Sequence, residues 1–292
     1  MFDSIKYNRF NFREHEGFCI PKGPKFETAR QYTFKLRSNE LCFRAPTQVH
    51  LFRPGSEQFT SSRRHNDLSP LWLDSFHTYN DTWASLRLFS RQYAFYGPWF
   101  TGEKGNVSFS VSAIAPESTP TGLNLLHPRA FESAIAGFIT ALFGHEERES
   151  GVARYTGPIQ WNPVKSLHVP AVSFLVQSIK GLHRDPFLCF PVARDRILIF
   201  SFSYEQYAGG NISEMDAAIS PKPAQNLINS IINSVKFTPS EDLEKELEEI
   251  RQTCPDLNVS DSFAPLKWPA TVDETGLNIV ELNAERRKAL EN

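Results

Sequence analysis

What this 292-residue chain lacks narrows its chemistry before any element is placed. It holds four cysteines, at positions 19, 42, 189 and 254, and no two have C-x-x-C spacing. A thiolate zinc knuckle and a thioredoxin-type redox pair are therefore unsupported, and the low count suits a reducing compartment. The formal net charge is -2, without the basic excess that neutralises phosphates, so no nucleic-acid partner is expected. No G-x-G-x-x-G, no G-x-x-x-x-G-K-[ST] and no G-x-S-x-G occurs, which leaves dinucleotide sites, P-loops and nucleophile elbows without their glycines. The longest apolar stretch worth testing, Ala134–Phe143, is too short to cross a bilayer. Met1 to Tyr7 shows no apolar run behind a basic start, so no secretory leader is expected and a cytoplasmic location is. His145-Glu146-x-x-Glu149 lacks the second histidine of a zincin helix, and the eight histidines are scattered. No metal, cofactor or catalytic residue is assigned.

What the chain has in quantity is phenylalanine, 24 residues of it, against only two methionines. Aromatic residues favour strands and suit sheets packed under helices. Asn106 to Ala113 alternates Val107, Phe109, Val111 and Ala113 with three serines, the pattern of a strand with one dry and one wet face. That favours an antiparallel sheet over a doubly covered parallel one. Trp83 to Tyr96 reads as one long or bent strand, stopped by Gly97-Pro98. Phe187 to Val192, the turn Arg194-Asp195 and Ile197 to Tyr204 read as a hairpin. Shorter runs at 17–21, 32–36 and 41–43 suggest an opening meander, and Val172–Val176 a further strand.

Two helices follow strand runs. Pro128 to Phe143 carries Phe131, Ala134, Ile135, Phe138, Ile139 and Leu142 on one stripe, with Gly144 as its stop. The second, over 221–235, carries Leu227, Ile228, Ile231, Ile232 and Val235. The expected fold is α+β, mainly antiparallel, with the helices on one face. Residues 1–237 form the body, either as one unit or as related β-rich halves at about 1–148 and 149–237; residues 238–292 form an acidic helix and an extended tail. Thr238-Pro239-Ser240-Glu241 starts that helix, expected over Pro239–Gln252 with proline at its first position, which carries a narrow stripe of Leu243, Leu247 and Ile250 among many glutamates. A last helical piece is expected at Asn283–Leu290.

Two segments stand apart from a plain scaffold. Tyr96-Gly97-Pro98-Trp99-Phe100 places three large aromatics in a glycine- and proline-rich connection. It reads either as a plug for the sheet edge or as a recognition loop of the kind that anchors protein interfaces. The glutamates at 241–249, Glu244 and Glu248 among them, read either as a solvated face or as an acidic patch for a basic partner. Arg63-Arg64-His65 in a serine-rich loop reads as solvated surface. The leading expectation is a non-catalytic protein-binding protein, with Tyr96, Trp99, Phe100, Glu244 and Glu248 as binding residues. The alternative is a hydrolase with an unfamiliar Ser/His/acid or Cys/His set, which requires a histidine within reach of a serine, cysteine or carboxylate.

The patches Tyr93-x-Phe95-x-Gly97-Pro98-Trp99-Phe100-Thr101-Gly102, His127-Pro128-Arg129-Ala130-Phe131-Glu132 and Trp161 resemble a group of uncharacterised proteobacterial proteins. Some of those are encoded beside secreted toxins, so the resemblance implies an immunity-type role. The closing strand-strand-helix, ending Ile231-Ile232-Asn233-Ser234-Val235-Lys236-Phe237, is similar to the end of small sheet-and-helix domains of the PsbP type. Neither resemblance carries catalytic residues over.

Overall fold

The computed structural model describes residues 6–14, 17–47, 65–66, 77–79, 83–116, 123–145, 153–179 and 183–268. The expectations for Arg63-Arg64, for the Glu146 and Glu149 carboxylates and for Asn283–Leu290 fall outside them. Among the described residues eleven strands form two sheets. They are β1 (Arg30–Leu36), β2 (Asn39–Ala45), β3 (His65–Asn66), β4 (His77–Tyr79), β5 (Trp83–Tyr96), β6 (Glu103–Pro116), β7 (Tyr155–Pro163), β8 (Val172–Ser178), β9 (His183–Ala193), β10 (Arg196–Gln206) and β11 (Lys236–Thr238). The large sheet has the order β4-β5-β6-β10-β9-β8-β7 and is antiparallel throughout. The small sheet, β11-β2-β1-β3, is antiparallel except for the β1–β3 pair. The α+β reading and the mainly antiparallel pairing hold. Strands from 1–148 and from 149–237 share the large sheet, joined where β6 pairs with β10.

Alternation sets the layers. In β6, Val107, Phe109, Val111 and Ala113 are buried and the three intervening serines are partly exposed. The dry side meets the small sheet, and phenylalanine fills the space between them. The Phe43 ring stands 5.2 to 5.8 Å from Phe34, Phe89, Phe109 and Phe200, three of the four contacts edge-on. Edge-to-face pairs set the positive rim of one ring against the negative face of the next.

The helices are α1 (Pro128–Phe143), α2 (Ile212–Ala218), α3 (Lys222–Asn233) and α4 (Glu241–Arg251). They divide between the faces of the large sheet rather than sharing one. α3 and α4 add Leu227, Ile228, Ile231, Leu243, Leu247 and Ile250 to the core beside the small sheet. α1 covers the opposite face with Phe131, Ile135, Phe138, Ile139 and Phe143. The reason lies in the strands: Ile114, Ile197, Ile199, Phe174, Phe187 and Cys189 make the far side of the sheet apolar along half its length, and that half needs its own cover. α4 begins at Glu241, not Pro239, because Ser240 is its cap and accepts from the Leu243 amide at 3.3 Å. Asn39 fixes that cap by accepting from the Ser240 amide at 2.8 Å.

The described segment after α4, residues 252–268, runs as a strap along the body. Val259 and Trp268 bury themselves in the α1 side of the core. The patches His127–Glu132 and Trp161 meet here. Glu132, itself buried, accepts from the Ser260 amide and from its hydroxyl, and Arg129 pairs with Glu132 at 2.9 Å. The Trp161 indole donates to the Ser260 carbonyl at 2.8 Å. Further on, Trp268 donates to Thr140 at 3.2 Å. Its ring lies where a Cβ at Gly144 would stand, 2.8 Å away, so the glycine that ends α1 also admits the strap.

Candidate functional site

One end of the large sheet gathers the C-terminal ends of β5, β8 and β10 and the N-terminal ends of β6, β7 and β9. The large apolar side chains left exposed among the described residues are Phe10, Phe12, Phe18, Ile20, Trp99, Ile179 and Tyr207, and all seven lie at this end. Trp99 and Phe100 sit in the β5–β6 connection, Tyr207 follows β10 and Ile179 follows β8. Phe10 and Phe12 arrive on the N-terminal segment, held there because the Phe12 amide donates to the Phe100 carbonyl at 2.8 Å. Phe10 stacks on Phe12 at 5.6 Å, and Phe12 leans on Phe100 at 6.2 Å. Phe18 and Ile20 flank Cys19, whose amide donates to the carbonyl of Ala218, the last residue of α2, while Lys22 bridges to Tyr96.

The β5–β6 connection is tied at its base: the Gly97 amide donates to the Gly102 carbonyl at 2.8 Å, and the Thr101 hydroxyl to the Pro98 carbonyl at 2.8 Å. Between these ties Trp99 has φ 52° and Phe100 φ 66°. Left-handed backbone costs a bulky L-residue roughly 1–2 kcal/mol. Two successive aromatics held in it are a concentrated strain, of the sort found where a loop's shape serves a purpose. Trp99 is 45% exposed, so it does not plug the sheet edge. Cations interleave with the rings. Lys6 lies 5.4 Å from the Tyr7 centroid and 5.5 Å from that of Trp99; Lys22 shares Tyr7, and Arg9 lies over Phe10.

Behind this rim the wet face of the sheet carries a polar row. Gln92 donates to Asn106 at 3.2 Å, and Asn106 donates to Glu205 at 2.9 Å and to the Tyr207 hydroxyl at 2.7 Å. His183 Nδ1 lies 3.4 Å from Glu205 Oε1. Beside them Ser203 bonds the buried Asp185 carboxylate, whose Oδ1 has no partner. Burial pushes Asp185 up to about 6, against the opposing pull of the Ser203 bond and of His183. A histidine thus reaches a carboxylate, as the hydrolase alternative requires. Yet the Ser203 hydroxyl faces Asp185 rather than the imidazole, so the nucleophile-to-base bond of a triad is not formed. Among the described residues no three His, Cys, Asp or Glu side chains stand ready to hold a metal ion.

The five binding residues expected from sequence separate into two groups. Tyr96, Trp99 and Phe100 share the aromatic end. Glu244 and Glu248 lie on α4, beside the β9–β10 turn at the other end, where Arg194 reaches Glu246 at 3.1 Å. The ten residues of β10 from Ile197 to Gln206 set the two ends about 30 Å apart, at roughly 3.3 Å per residue. Glu244 and Glu248 are also both met by Arg251, at 3.4 and 3.1 Å, which offsets part of their charge. Phe10, Phe12, Phe18 and Ile20 escape a reading of the sequence, although Phe10-Asn11-Phe12-Arg13 alternates rings with polar residues. As a free-standing strand such a segment would bury one face; here it is held to the loop by isolated bridges only, and its rings stay out. Comparison with protein-family models, with curated proteins and with solved structures finds no match. Among the described residues, no helix is long and apolar enough to cross a membrane.

Proposed function

We propose that this protein is a non-catalytic binding protein that docks another protein on the aromatic end of its large sheet. The observation that carries the reading is the collection of seven exposed large apolar side chains at that one end. Phe10, Phe12 and Phe100 pack on one another there, and clustered exposed apolar rings of this kind mark interaction sites, many of them dominated by Trp and Tyr anchors. The strained Trp99-Phe100 backbone pre-shapes the anchor, so less ordering remains to be done on binding. The cations among the rings, Lys6, Arg9 and Lys22, fit a partner that presents carboxylates around an apolar centre. The finer reading, an immunity protein that neutralises a secreted bacterial toxin, rests on the resemblance carried by the patches Tyr93–Gly102, His127–Glu132 and Trp161.

The test is affinity capture from the native cells with tagged wild-type protein and with a Phe12→Ala/Trp99→Ala/Phe100→Ala variant. The reading expects a stoichiometric partner held by the wild type and lost by the variant. A partner held equally by both would remove the aromatic end from the account. Glu244→Gln/Glu248→Gln serves as a control at the far end and should leave capture unchanged.

One observation favours a second reading, a hydrolase: His183, Asp185, Ser203 and Glu205 share one face of two adjacent strands. Hydrolysis of an activated ester panel that disappears in Ser203→Ala and in His183→Ala would support it. Equal rates in wild type and both variants would end it.

A further inference from the structure

A second concave site lies on the other face of the large sheet, where β8, β9 and β10 run under α2 and α3. It encloses a cavity of about 550 Å³, within the range of small-molecule sites. Leu175, Ile228 and Ile232 give it apolar walls. Arg184 lines it and is only 9% exposed. The guanidinium is half engaged. Nη2 donates to Asp216 Oδ1 at 2.8 Å, while Nη1 is buried without a hydrogen-bond partner. Asp216 is already shared, because Gln206 donates to the same oxygen at 3.0 Å. Few buried donors in native proteins go unpaired, and a charged one is costly, so such a group asks for an acceptor that completes it. Tyr204 lies under the guanidinium at 5.9 Å and lines the same cavity. Burial pushes its phenol well above the ordinary value, so its hydroxyl stays a neutral donor.

We propose that this groove binds a small-molecule monocarboxylate with an apolar body, its carboxylate taken by the Arg184 guanidinium and its hydrocarbon lying between Leu175 and α3. The charge balance selects the head group. Arg184 has one arm without a partner in the fold, and the Asp216 carboxylate stands on its other side, so a monoanion is accepted where a dianionic phosphate is repelled. A neutral amide brings no charge to the bond and binds less well. None of the seven exposed apolar residues of the aromatic end lines this cavity. Ligand binding in this groove is therefore separable from docking at the aromatic end.

The test is calorimetric titration of the full chain with 4-phenylbutanoate, 4-phenylbutanamide and 4-phenylbutyl phosphate. The expected result is saturable binding of the carboxylate, with the amide and the phosphate at least about tenfold weaker. Arg184→Gln should lose carboxylate binding by at least about tenfold. Asp216→Asn removes the competing anion and keeps a side chain that Gln206 can still reach, so it should strengthen carboxylate binding and narrow the gap to the phosphate. This second variant decides the matter if Arg184→Gln fails to fold. Equal affinity for carboxylate and amide, no saturable carboxylate binding up to millimolar concentration, or an unchanged Asp216→Asn profile would each overturn the proposal.

Discussion

Replacing Asp185 with asparagine should change how stability depends on pH, and by an amount the structure fixes. Asp185 is 9% exposed, and burial raises its carboxyl from 3.8 to about 6. A shift of about two units, at roughly 1.4 kcal/mol each, corresponds to about 3 kcal/mol. The folded value lies above the unfolded one, so folding favours the protonated acid. Below about pH 4 both states carry the proton and Asp185 costs nothing. As pH rises toward 6 the unfolded chain releases the proton first, and stability falls; above about 6 the whole penalty of roughly 3 kcal/mol is in place. The substituted amide cannot ionise and keeps an oxygen for the Ser203 bond. Any fixed cost of that amide is the same at every pH, so the comparison rests on the pH-dependent part alone. Urea unfolding followed by tryptophan fluorescence, at steps from pH 4 to pH 8, should show Asp185→Asn gaining about 2–3 kcal/mol on the wild type across that range. Parallel curves would refute the reasoning and mean that Asp185 is solvated or paired in solution.

Three further substitutions probe separate parts of the fold. Phe100→Gly should be more stable than Phe100→Ala by about 1 kcal/mol in chemical denaturation, because φ 66° penalises any Cβ; the reverse order would place Phe100 outside the left-handed region. Phe43→Ala, which empties the centre of the ring cluster between the sheets, should cost about 3–5 kcal/mol in the same assay. Glu132→Ala removes the acceptor that holds Ser260, so limited proteolysis should cut within 255–268 faster than in the wild type while the rest of the chain stays intact; an unchanged cleavage rate would show that Val259 and Trp268 hold the strap without it.

Much of the fold can be read from the chain, for reasons that are local. β6, β9 and β10 follow from alternation and a two-residue turn, and α1 follows from an apolar stripe with proline at its start and glycine at its end. Each signal lies within one short continuous stretch of chain. α2 is not legible in the same way, although its capping box is present: Asn211 accepts from the Ser213 and Glu214 amides, and Glu214 accepts from the Asn211 amide. With a single buried residue, Met215, it has no apolar stripe to mark it. The placement of helices on both faces is hidden for a different reason. A strand buried on both sides and one buried on a single side differ only in residues such as Ile197, Ile199 and Cys189, which a short hydrophobic run does not resolve. The site follows the same divide. Trp99 and Phe100 draw notice by composition, within one loop. The partners of that loop, Phe10 and Phe12, are about ninety residues away in sequence and meet it through three-dimensional pairing alone. The same is true of Arg184 and Asp216, whose pairing across the cavity no motif encodes.

Hydroxyl-radical footprinting of the captured complex tests the docking surface most directly, because it reads the side chains themselves. In the unbound protein Phe12 is 74% exposed and Trp99 45%, and both should be oxidised readily. The account predicts that partner binding protects Phe10, Phe12 and Trp99 while labelling around α4 stays as it was. Unchanged oxidation of Phe12 and Trp99 in a complex that instead shields the α4 end would contradict it.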